Sequence, residues 1–178
     1  MSVHSLEGVL ALQKMGFSRV VLSRELSLSE IEYICKNSDI EIEVFVHGAL
    51  CMCVSGQCYF SAFLGSRSGN RGQCAQTCRL PFMVEGGTGN DLSLKDMTIL
   101  KHLQEMNKIG VVSAKIEGRL KRPEYVASAV NVARQYYDTG TATEESCTQL
   151  KNVFSRSGFT DGYYTNNRGA NMFGTRQK

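Results

Sequence analysis

The sequence predicts an α/β fold: part of an incomplete (β/α) TIM-type barrel, or a smaller open sheet, with a long Cys-rich loop. Helical and strand patterns alternate along the chain, and most of the connections between them are short. Of the 178 residues, 42% are hydrophobic and 21% charged, which is an ordinary globular composition. Only three or four strands are recognisable, whereas a complete barrel needs eight strands and typically about 250 residues.

The first half of the chain alternates between helical and strand patterns. Residues 5–15 carry apolar side chains at helical spacing, and residues 19–23 (RVVLS) are a β-branched run typical of a buried strand. Ser27 and Glu30 form an S-x-x-E capping box, which marks the start of a second helix. The expected order is helix 5–15, strand 19–23, helix 27–38 and strand 42–48.

The second half begins with a segment that has no periodicity, and we predict that it forms a long loop. Amphipathic spacing then predicts a helix, β-branched residues predict a strand, and Pro123 is suited to the first turn of a last helix. The expected elements are loop 49–80, a short strand 79–85, helix 93–108, strand 111–118 and a helix from Pro123 to about Tyr137. We assign residues 1–165 to one domain and the Gly/Asn-rich residues 166–178 to a tail.

Nothing in the sequence predicts export or a membrane span. Met1 is not followed by a basic stretch leading into an apolar one, so no signal peptide is expected. The most apolar stretch, Val44 to Val54, is interrupted by His47 and Gly48 and is too short to cross a bilayer. We therefore expect a soluble, cytoplasmic protein with no membrane partner. Thiols stay reduced in that compartment, so clustered cysteines there indicate metal binding or chemistry rather than disulfides.

Four cysteines are grouped in the predicted loop. Cys51, Cys58, Cys74 and Cys78 follow the pattern C-x6-C-x15-C-x3-C, with glycines before or between them, and Cys53 is a fifth candidate ligand. Glycines allow the backbone to fold closely around a small inorganic centre. Structural zinc sites usually use closely spaced cysteine pairs, whereas an iron–sulfur cluster tolerates irregular spacing, so the spacing favours a cluster over zinc. Unligated thiols are the third interpretation.

The sequence around these cysteines resembles a known protein family. Residues 43–61 contain E-x-F-x-x-G-A-L-C, four further residues and G-x-C-x-F-S, which resembles the signature of peptidase family U32. Phe60 departs from the aliphatic residue that is more usual at its position. The segments RVVLSREL, NRGQCAQTCR, KIEGRLKRPEYV and FSRSGFTDGYY resemble further family segments in the same order. Because members are usually longer, the chain is expected to be a fragment or a shortened version of a barrel domain.

The resemblance implies an iron–sulfur enzyme. In this family the matching cysteines hold a cluster, which implies a [4Fe–4S] cluster on Cys51, Cys58, Cys74 and Cys78, with zinc as the alternative metal. Members are implicated in hydroxylating tRNA or rRNA bases, with prephenate as the oxygen source, and others in ubiquinone hydroxylation. The family name implies a collagenase-like peptidase instead. A third hypothesis is a non-catalytic subunit that pairs with a partner or with a missing N-terminal half-barrel.

Charged residues occupy alternate positions at the end of the strand predicted before Pro123. Lys115, Glu117 and Arg119 share one face of its carboxyl end, where (β/α) barrels build their active sites. Lys115 and Arg119 are suited to clamp a carboxylate or phosphate, with Glu117 orienting them, and a solvated strand end is the alternative. His47 is a further candidate for the substrate site, either as a base for a thiol or as a hydrogen-bonded structural residue.

The charge of the chain only weakly indicates a nucleic-acid partner. A net charge of +3 does not by itself favour one. A local basic patch for the RNA backbone is nevertheless predicted, since basic residues recur in the Cys-rich loop and after the last predicted strand. They are Arg67, Arg71, Arg79, Arg119, Lys121 and Arg122.

Overall fold

The computed structural model describes residues 2–87, 89–118, 121–155 and 157–174, and within them five strands form one mixed sheet. The helices are α1 Leu6–Lys14, α2 Leu28–Lys36, α3 Phe60–Gly65, α4 Leu103–Lys108, α5 Pro123–Thr139 and α6 Glu144–Phe154. The strands are β1 Arg19–Val21, β2 Glu41–Gly48, β3 Asp96–Thr98, β4 Val111–Ile116 and β5 Phe159–Thr160. The predicted α/β class is confirmed, and over these residues the sheet is open rather than a closed barrel. No helix within these ranges has the length and apolar character needed to cross a bilayer.

Strand β2 is the centre of the sheet. β1 pairs with its first half and β4 with most of its length, and both run parallel to it. The short strand β3 pairs antiparallel with its last two residues, His47 and Gly48, and β5 runs parallel to β3. The three parallel strands therefore end on the same side, and we call that side the carboxyl edge of the sheet.

Both faces of β2 are covered, although its sequence alternates. Every residue of the strand after Glu41 is buried. Ile42, Val44 and Val46 join the hydrophobic core that also includes Val9 of α1. Burial on both faces is typical of the central strand of a parallel sheet, and burying each aliphatic side chain contributes about 1.5–3 kcal/mol.

Local signals start and end the helices where the sequence predicts. The Glu30 backbone N–H donates to Ser27 Oγ at 3.4 Å, and the Ser27 N–H donates to the Glu30 carboxylate at 2.7 Å, so the predicted capping box is complete. Pro123 is the first residue of α5. Gly140 follows that helix with a φ of 78°, a left-handed conformation that favours glycine.

The predicted helix over residues 93–108 is wrong in its first half. Asp96–Thr98 form β3, Leu100–His102 form a 3₁₀ turn, and the α-helix begins only at Leu103. Asp96 and Met97 are buried, and their backbones pair with β2 and β5. Pairing between segments distant in sequence therefore outweighs the amphipathic spacing that predicted a helix.

The stretch that contains the motif cysteines, residues 49–87, is called here the Cys-rich segment, and it also differs from its prediction. Residues 79–85, expected as a strand, are described throughout and form none. The predicted loop 49–80 contains helix α3 and two 3₁₀ turns, Gly69–Arg71 and Thr77–Arg79. These elements are too short to produce a recognisable hydrophobic period, so sequence spacing could not reveal them.

The end of the described chain packs against the rest of the protein. Met172 is buried, and Phe173 forms an antiparallel bridge to Leu94. The backbone N–H of Gly174 donates to the Ser93 carbonyl at 2.8 Å. Met172, within the predicted tail, thus belongs to the same core as the preceding residues, whereas residues 166–171 are exposed.

The capping box provides a test of local stability. Ser27→Ala should lower the free energy of unfolding by about 1 kcal/mol, because it removes the acceptor for the Glu30 N–H. Ser18→Ala is the matched control, since Ser18 is exposed and lies outside the helix and its capping box, and it should change that free energy by less than about 0.5 kcal/mol. Urea unfolding monitored by circular dichroism measures both, and equal midpoints would contradict the prediction.

Candidate functional site

The polar side chains of interest gather at the carboxyl edge of the sheet. Arg24 follows β1, the Cys-rich segment follows β2, and Glu117 follows β4. Loops after the carboxyl ends of parallel strands are where α/β proteins build their binding sites. The topology therefore brings together three stretches that are separated by up to 93 positions in the sequence.

An ion pair crosses this edge from β1 to β4. Arg24 Nη2 donates to Glu117 Oε2 at 2.6 Å, and both side chains are only partly exposed. The Arg24 guanidinium carbon lies 4.1 Å from the centre of the Phe45 ring, so the cation is stacked on the middle strand. Partial burial and stacking hold the guanidinium in one orientation, unlike an ordinary surface ion pair.

A second charged group lies further back along the same strands. Lys115 Nζ donates to Glu43 Oε1 at 2.6 Å, and Ser113 Oγ donates to Glu43 Oε2 at 2.8 Å. Burial raises the pKa of the Glu43 carboxyl, but these hydrogen bonds and the charges of Lys115 and Arg19 outweigh that effect and lower it. Glu43 is therefore ionised at neutral pH and holds the Lys115 ammonium in place.

Gly48 allows the end of β4 to approach β2 closely. Its φ is 151°, and a Cβ at this position would lie 2.8 Å from the Cβ of Glu117. The backbone N–H of Glu117 donates to the His47 carbonyl at 3.0 Å. A side chain at position 48 would push the end of β4 away from β2 and displace Glu117 from Arg24. This close approach explains why the motif has glycine at position 48.

Three consecutive residues after β1 each bury a polar atom that has no hydrogen-bond partner among the described residues. They are Ser23 Oγ, Arg24 Nε and Glu25 Oε2. The other carboxylate oxygen of Glu25 accepts bonds from the backbone N–H and the hydroxyl of Ser55, both at 2.8 Å. Buried polar groups in proteins are normally paired, so three unpaired ones side by side indicate a site that a polar ligand can complete.

His47 lies in the core and not on the surface. Its side chain is 0% exposed, its Nδ1 is 2.9 Å from the Tyr125 hydroxyl, and its ring packs against Phe154 and Phe159. Burial lowers the pKa of His47 from 6.5 to about 4, and the nearby charge of Asp96 only partly opposes this. His47 is thus neutral at pH 7. Its role in substrate binding stays a prediction.

The four motif cysteines share one neighbourhood beside Arg24. All seven cysteines of the chain are free thiols, and Cys51 and Cys74 are exposed. Although Cys51 is exposed at the surface, surrounding protein atoms partly desolvate its thiol and raise its pKa; the Arg24 charge partly opposes this rise, and the Cys78, Cys74 and Cys58 thiols add to it. Over the described ranges, no three His, Cys, Asp or Glu side chains are positioned to hold a metal ion in common. Their joint ligation of a metal stays a prediction.

The surroundings of Cys74 resemble those of a sulfur that carries negative charge. The Gln76 backbone N–H donates to Cys74 Sγ at 3.2 Å, aided by the left-handed backbone of Gln76. The buried Ser61 hydroxyl lies 3.8 Å from the same sulfur and accepts the Ala75 N–H at 3.1 Å. An N–H directed at sulfur is a feature of cluster-binding loops, so the surroundings of Cys74 fit a cluster ligand.

Arg79 fastens the Cys-rich segment to the sheet. Its guanidinium donates to the carbonyl of Leu50 at 2.6 Å, to the Ser93 hydroxyl at 3.1 Å and to the carbonyl of Leu94. The sequence predicted that Arg79 belongs to a basic patch for RNA. Its side chain instead bonds to Leu50 after β2 and to Ser93 and Leu94 before β3, and so holds these two stretches together. Arg119, another predicted member of both the patch and the substrate clamp, lies outside the described residues.

The family is identified by comparison with known proteins. The sequence model of peptidase family U32 matches residues 1–174. The chain belongs to peptidase family U32. No solved structure matches this U32 chain significantly.

Curated relatives of this U32 chain have two kinds of names. A 23S rRNA 5-hydroxycytidine C2501 synthase of Escherichia coli is 41% identical over 76% of this chain and 22% of the relative. The tRNA hydroxylation protein P1 of Bacillus subtilis is 38% identical over 74% of this chain and 34% of the relative. A collagenase of Porphyromonas gingivalis is 39% identical over 84% of this chain and 42% of the relative. The U32 chain thus spans less than half of the length of these relatives.

Sequence reasoning found part of this U32 site and missed part. It selected Lys115 and Glu117: the structure places Glu117 at the carboxyl edge in an ion pair with Arg24, and Lys115 further back along the strands in an ion pair with Glu43. It missed Arg24 and Glu25. The available signal was the polar triplet S-R-E directly after a β-branched strand, since that is where a parallel sheet presents its ligand-binding residues.

The buried histidine gives a test by pH. Between pH 6.5 and about 4 the unfolded chain protonates His47 while the folded chain does not, so acidification should destabilise the fold. The full effect is about 3 kcal/mol of unfolding free energy. Glutamine does not titrate. Between pH 6.5 and about 4, the unfolding free energy of His47→Gln should therefore fall by about 3 kcal/mol less than that of the wild-type protein. Equal pH dependence of the two proteins would contradict the prediction.

Proposed function

We propose that this U32 chain is part of an enzyme that hydroxylates bases of tRNA or rRNA. The observation that carries the proposal is the shared neighbourhood of four thiols and the Arg24–Glu117 pair at the carboxyl edge of a parallel sheet. The names of relatives that are 38–41% identical support RNA as the substrate. The reaction would take place in the cytoplasm, where these RNAs are made and used.

A [4Fe–4S] cluster on Cys51, Cys58, Cys74 and Cys78 is the proposed cofactor, with zinc as the alternative. The all-thiolate donor set and the N–H directed at Cys74 support the cluster. When bound, a cluster supplies one-electron chemistry. The chain's own contribution would be to hold the sulfurs beside Arg24, whose charge partly offsets the rise in the pKa of Cys51 that desolvation causes.

A small carboxylate such as prephenate is the proposed co-substrate. Arg24 and Lys115 are cations that lie 4.1 and 5.7 Å from the same Phe45 ring, and Arg24 Nε has no partner among the described residues. Two cations close to one aromatic ring suit a ligand that carries carboxylates. In this proposal Arg24 binds a carboxylate, Glu117 orients Arg24, and Arg119 completes the clamp.

The open sheet is proposed to be one portion of a (β/α) barrel. The parallel arrangement of β1, β2 and β4 supports this, since barrels are built from adjacent parallel strands joined through helices. Among the described strands, β4 pairs only with β2, so its other edge is available for pairing. The proposed partner is a further half-barrel, from the same protein or from a second subunit, that continues the sheet.

A collagenase-like peptidase is the alternative function. It is supported by the relatives named collagenase, of which one is 42% identical over 76% of this chain. A cysteine peptidase needs a histidine next to its thiol. His47 contacts Tyr125, and His102 lies within 3.2 Å of Glu105 and 3.6 Å of Asp161. The third histidine, His4, has its Nδ1 3.0 Å from the Ser2 carbonyl, so each histidine contacts a group other than a thiol, and the hydroxylase is the better-supported function.

Substitution of the cysteines tests the cofactor. Anaerobically purified protein should show visible absorbance at about 400 nm and contain about four iron ions per chain. Cys51→Ser and Cys74→Ser should lose most of that iron, because each removes one thiolate ligand. Cys35→Ser and Cys147→Ser, both outside the motif, are the matched controls and should keep it. Bound zinc without iron in the wild-type protein would contradict the cluster.

Loss of cationic side chains tests the reaction. A deletion strain should lack a hydroxylated cytidine or uridine, as measured by mass spectrometry of digested tRNA and rRNA. Complementation with the Arg24→Gln or Lys115→Gln gene should restore at most about a tenth of the hydroxylated base that the wild-type gene restores. Each substitution removes a cation that would contact a carboxylate in a partly buried site.

Iron content and an exposed lysine provide the controls for these variants. Both variants should retain the iron of the wild-type protein. Lys36→Gln, which alters an exposed ion pair with Glu32 on α2, should restore the modification fully. Unchanged hydroxylation in the deletion strain would contradict the proposed function.

A further inference from the structure

The segment that carries the cysteines also exposes an unusual set of apolar side chains. Tyr59 is 73% exposed and Phe63 is 90% exposed. Further exposed apolar side chains come from the same part of the chain. They are Met52, Val54, Leu64, Leu80, Met83 and Val84. Monomeric proteins rarely expose a group of this size without a binding role.

The two aromatic rings are arranged one helical turn apart. Tyr59 is the residue before α3, and the Phe63 backbone N–H donates to the Tyr59 carbonyl at 2.9 Å. Residues separated by four positions along a helix lie on the same face. The two residues therefore lie on the same side of the first turn of α3, and both side chains are exposed. Neither takes part in a ring contact with another described aromatic residue, in contrast to Phe60, which packs on Phe82.

The electrostatics of the segment favour an anionic partner. Residues 44–84 contain no Asp or Glu. Two exposed arginines, Arg67 and Arg71, follow α3 directly, and neither forms a salt bridge with any described residue. Arg67 Nε donates to the Gln73 carbonyl at 3.0 Å, so its side chain is anchored at one nitrogen while the guanidinium remains exposed.

We infer that Tyr59, Phe63, Arg67 and Arg71 form a platform for unpaired bases of the RNA substrate. Exposed aromatic rings next to arginines, without acidic residues, are the features by which proteins hold single-stranded nucleic acid: bases stack on the rings and cations contact the phosphates. Aliphatic exposure alone would indicate a protein partner, but paired rings and unopposed arginines are the distinguishing features here. The inference rests on the proposed action on RNA and adds the surface and the single-stranded form of the substrate.

The platform lies on the helix that also contacts a motif thiol. Ser61 is two residues from each aromatic position and so lies on the opposite face of α3, where its hydroxyl contacts Cys74 Sγ at 3.8 Å. A nucleotide stacked on Tyr59 and Phe63 would therefore be held on the outer face of the helix whose other face contacts the Cys74 thiol.

Binding of a labelled RNA tests the inference directly. With the full-length protein, fluorescence anisotropy should show tighter binding of a single-stranded RNA than of the same sequence in a duplex. Tyr59→Ala and Phe63→Ala should each weaken single-strand binding by about tenfold, the loss of one stacked base. Arg67→Gln should reduce the slope of log affinity against log salt by about 0.7. Each change is at an exposed side chain, so folding should be preserved.

Matched controls lie elsewhere on the surface. Tyr33, 59% exposed, and Phe17, 56% exposed, are outside the Cys-rich segment. Tyr33→Ala and Phe17→Ala should bind the RNA as the wild-type protein does. If Tyr59→Ala and Phe63→Ala also bind like the wild type, the inference is overturned. A smaller assembly for these two variants on gel filtration would then assign the surface to a protein contact.

The binding result is independent of the reaction. If the deletion strain keeps all its hydroxylated bases while Phe63→Ala still loses RNA affinity, the proposed hydroxylation fails and the platform stands. If hydroxylation depends on the gene but the aromatic variants bind and modify RNA normally, the platform alone is overturned.

Discussion

The close approach of β4 to the end of β2 at Gly48 is the contact on which the rest of the site depends. Glu117 lies where a side chain at position 48 would have to go, and its backbone bonds to the carbonyl of His47. That approach brings Glu117 within reach of Arg24 from the other neighbouring strand. It also determines the direction in which the chain leaves β2 toward Cys51. One glycine thereby couples the ion pair to the thiols.

The Cys-rich segment is held by polar contacts instead of a core of its own. Between Cys51 and Gly87 the structure buries only Ser61 and Thr77. Arg79 ties the segment to the carbonyls of Leu50 and Leu94, and Glu25 holds it at Ser55. Hydrogen bonds of this kind contribute about 1 kcal/mol each, so the fold of this segment is weaker than that of the sheet. A shared inorganic centre would add the cross-link that the segment lacks.

Charge is distributed in two distinct ways around the carboxyl edge. On the strands, each cation faces a carboxylate: Arg24 pairs with Glu117 and Lys115 with Glu43. In the Cys-rich segment, arginines occur without any acidic residue over residues 44–84. The first arrangement orients cations for a small ligand, and the second attracts a polyanion over a broader surface. In the proposed reaction, the small carboxylate would use the first arrangement and the RNA the second.

The sequence by itself determined the family, the capping box at Ser27, the main parallel strands and the cysteine pattern, because these depend on local spacing. Only the tertiary structure decided that residues 96–98 form a strand, since that depends on pairing with β2 and β5. It also decided that His47 is buried against Tyr125 and that Arg79 is structural. Arg24 became a site residue only through a contact with Glu117, 93 positions away. Such long-range contacts leave no periodicity in a single sequence, which is why spacing alone did not reveal them.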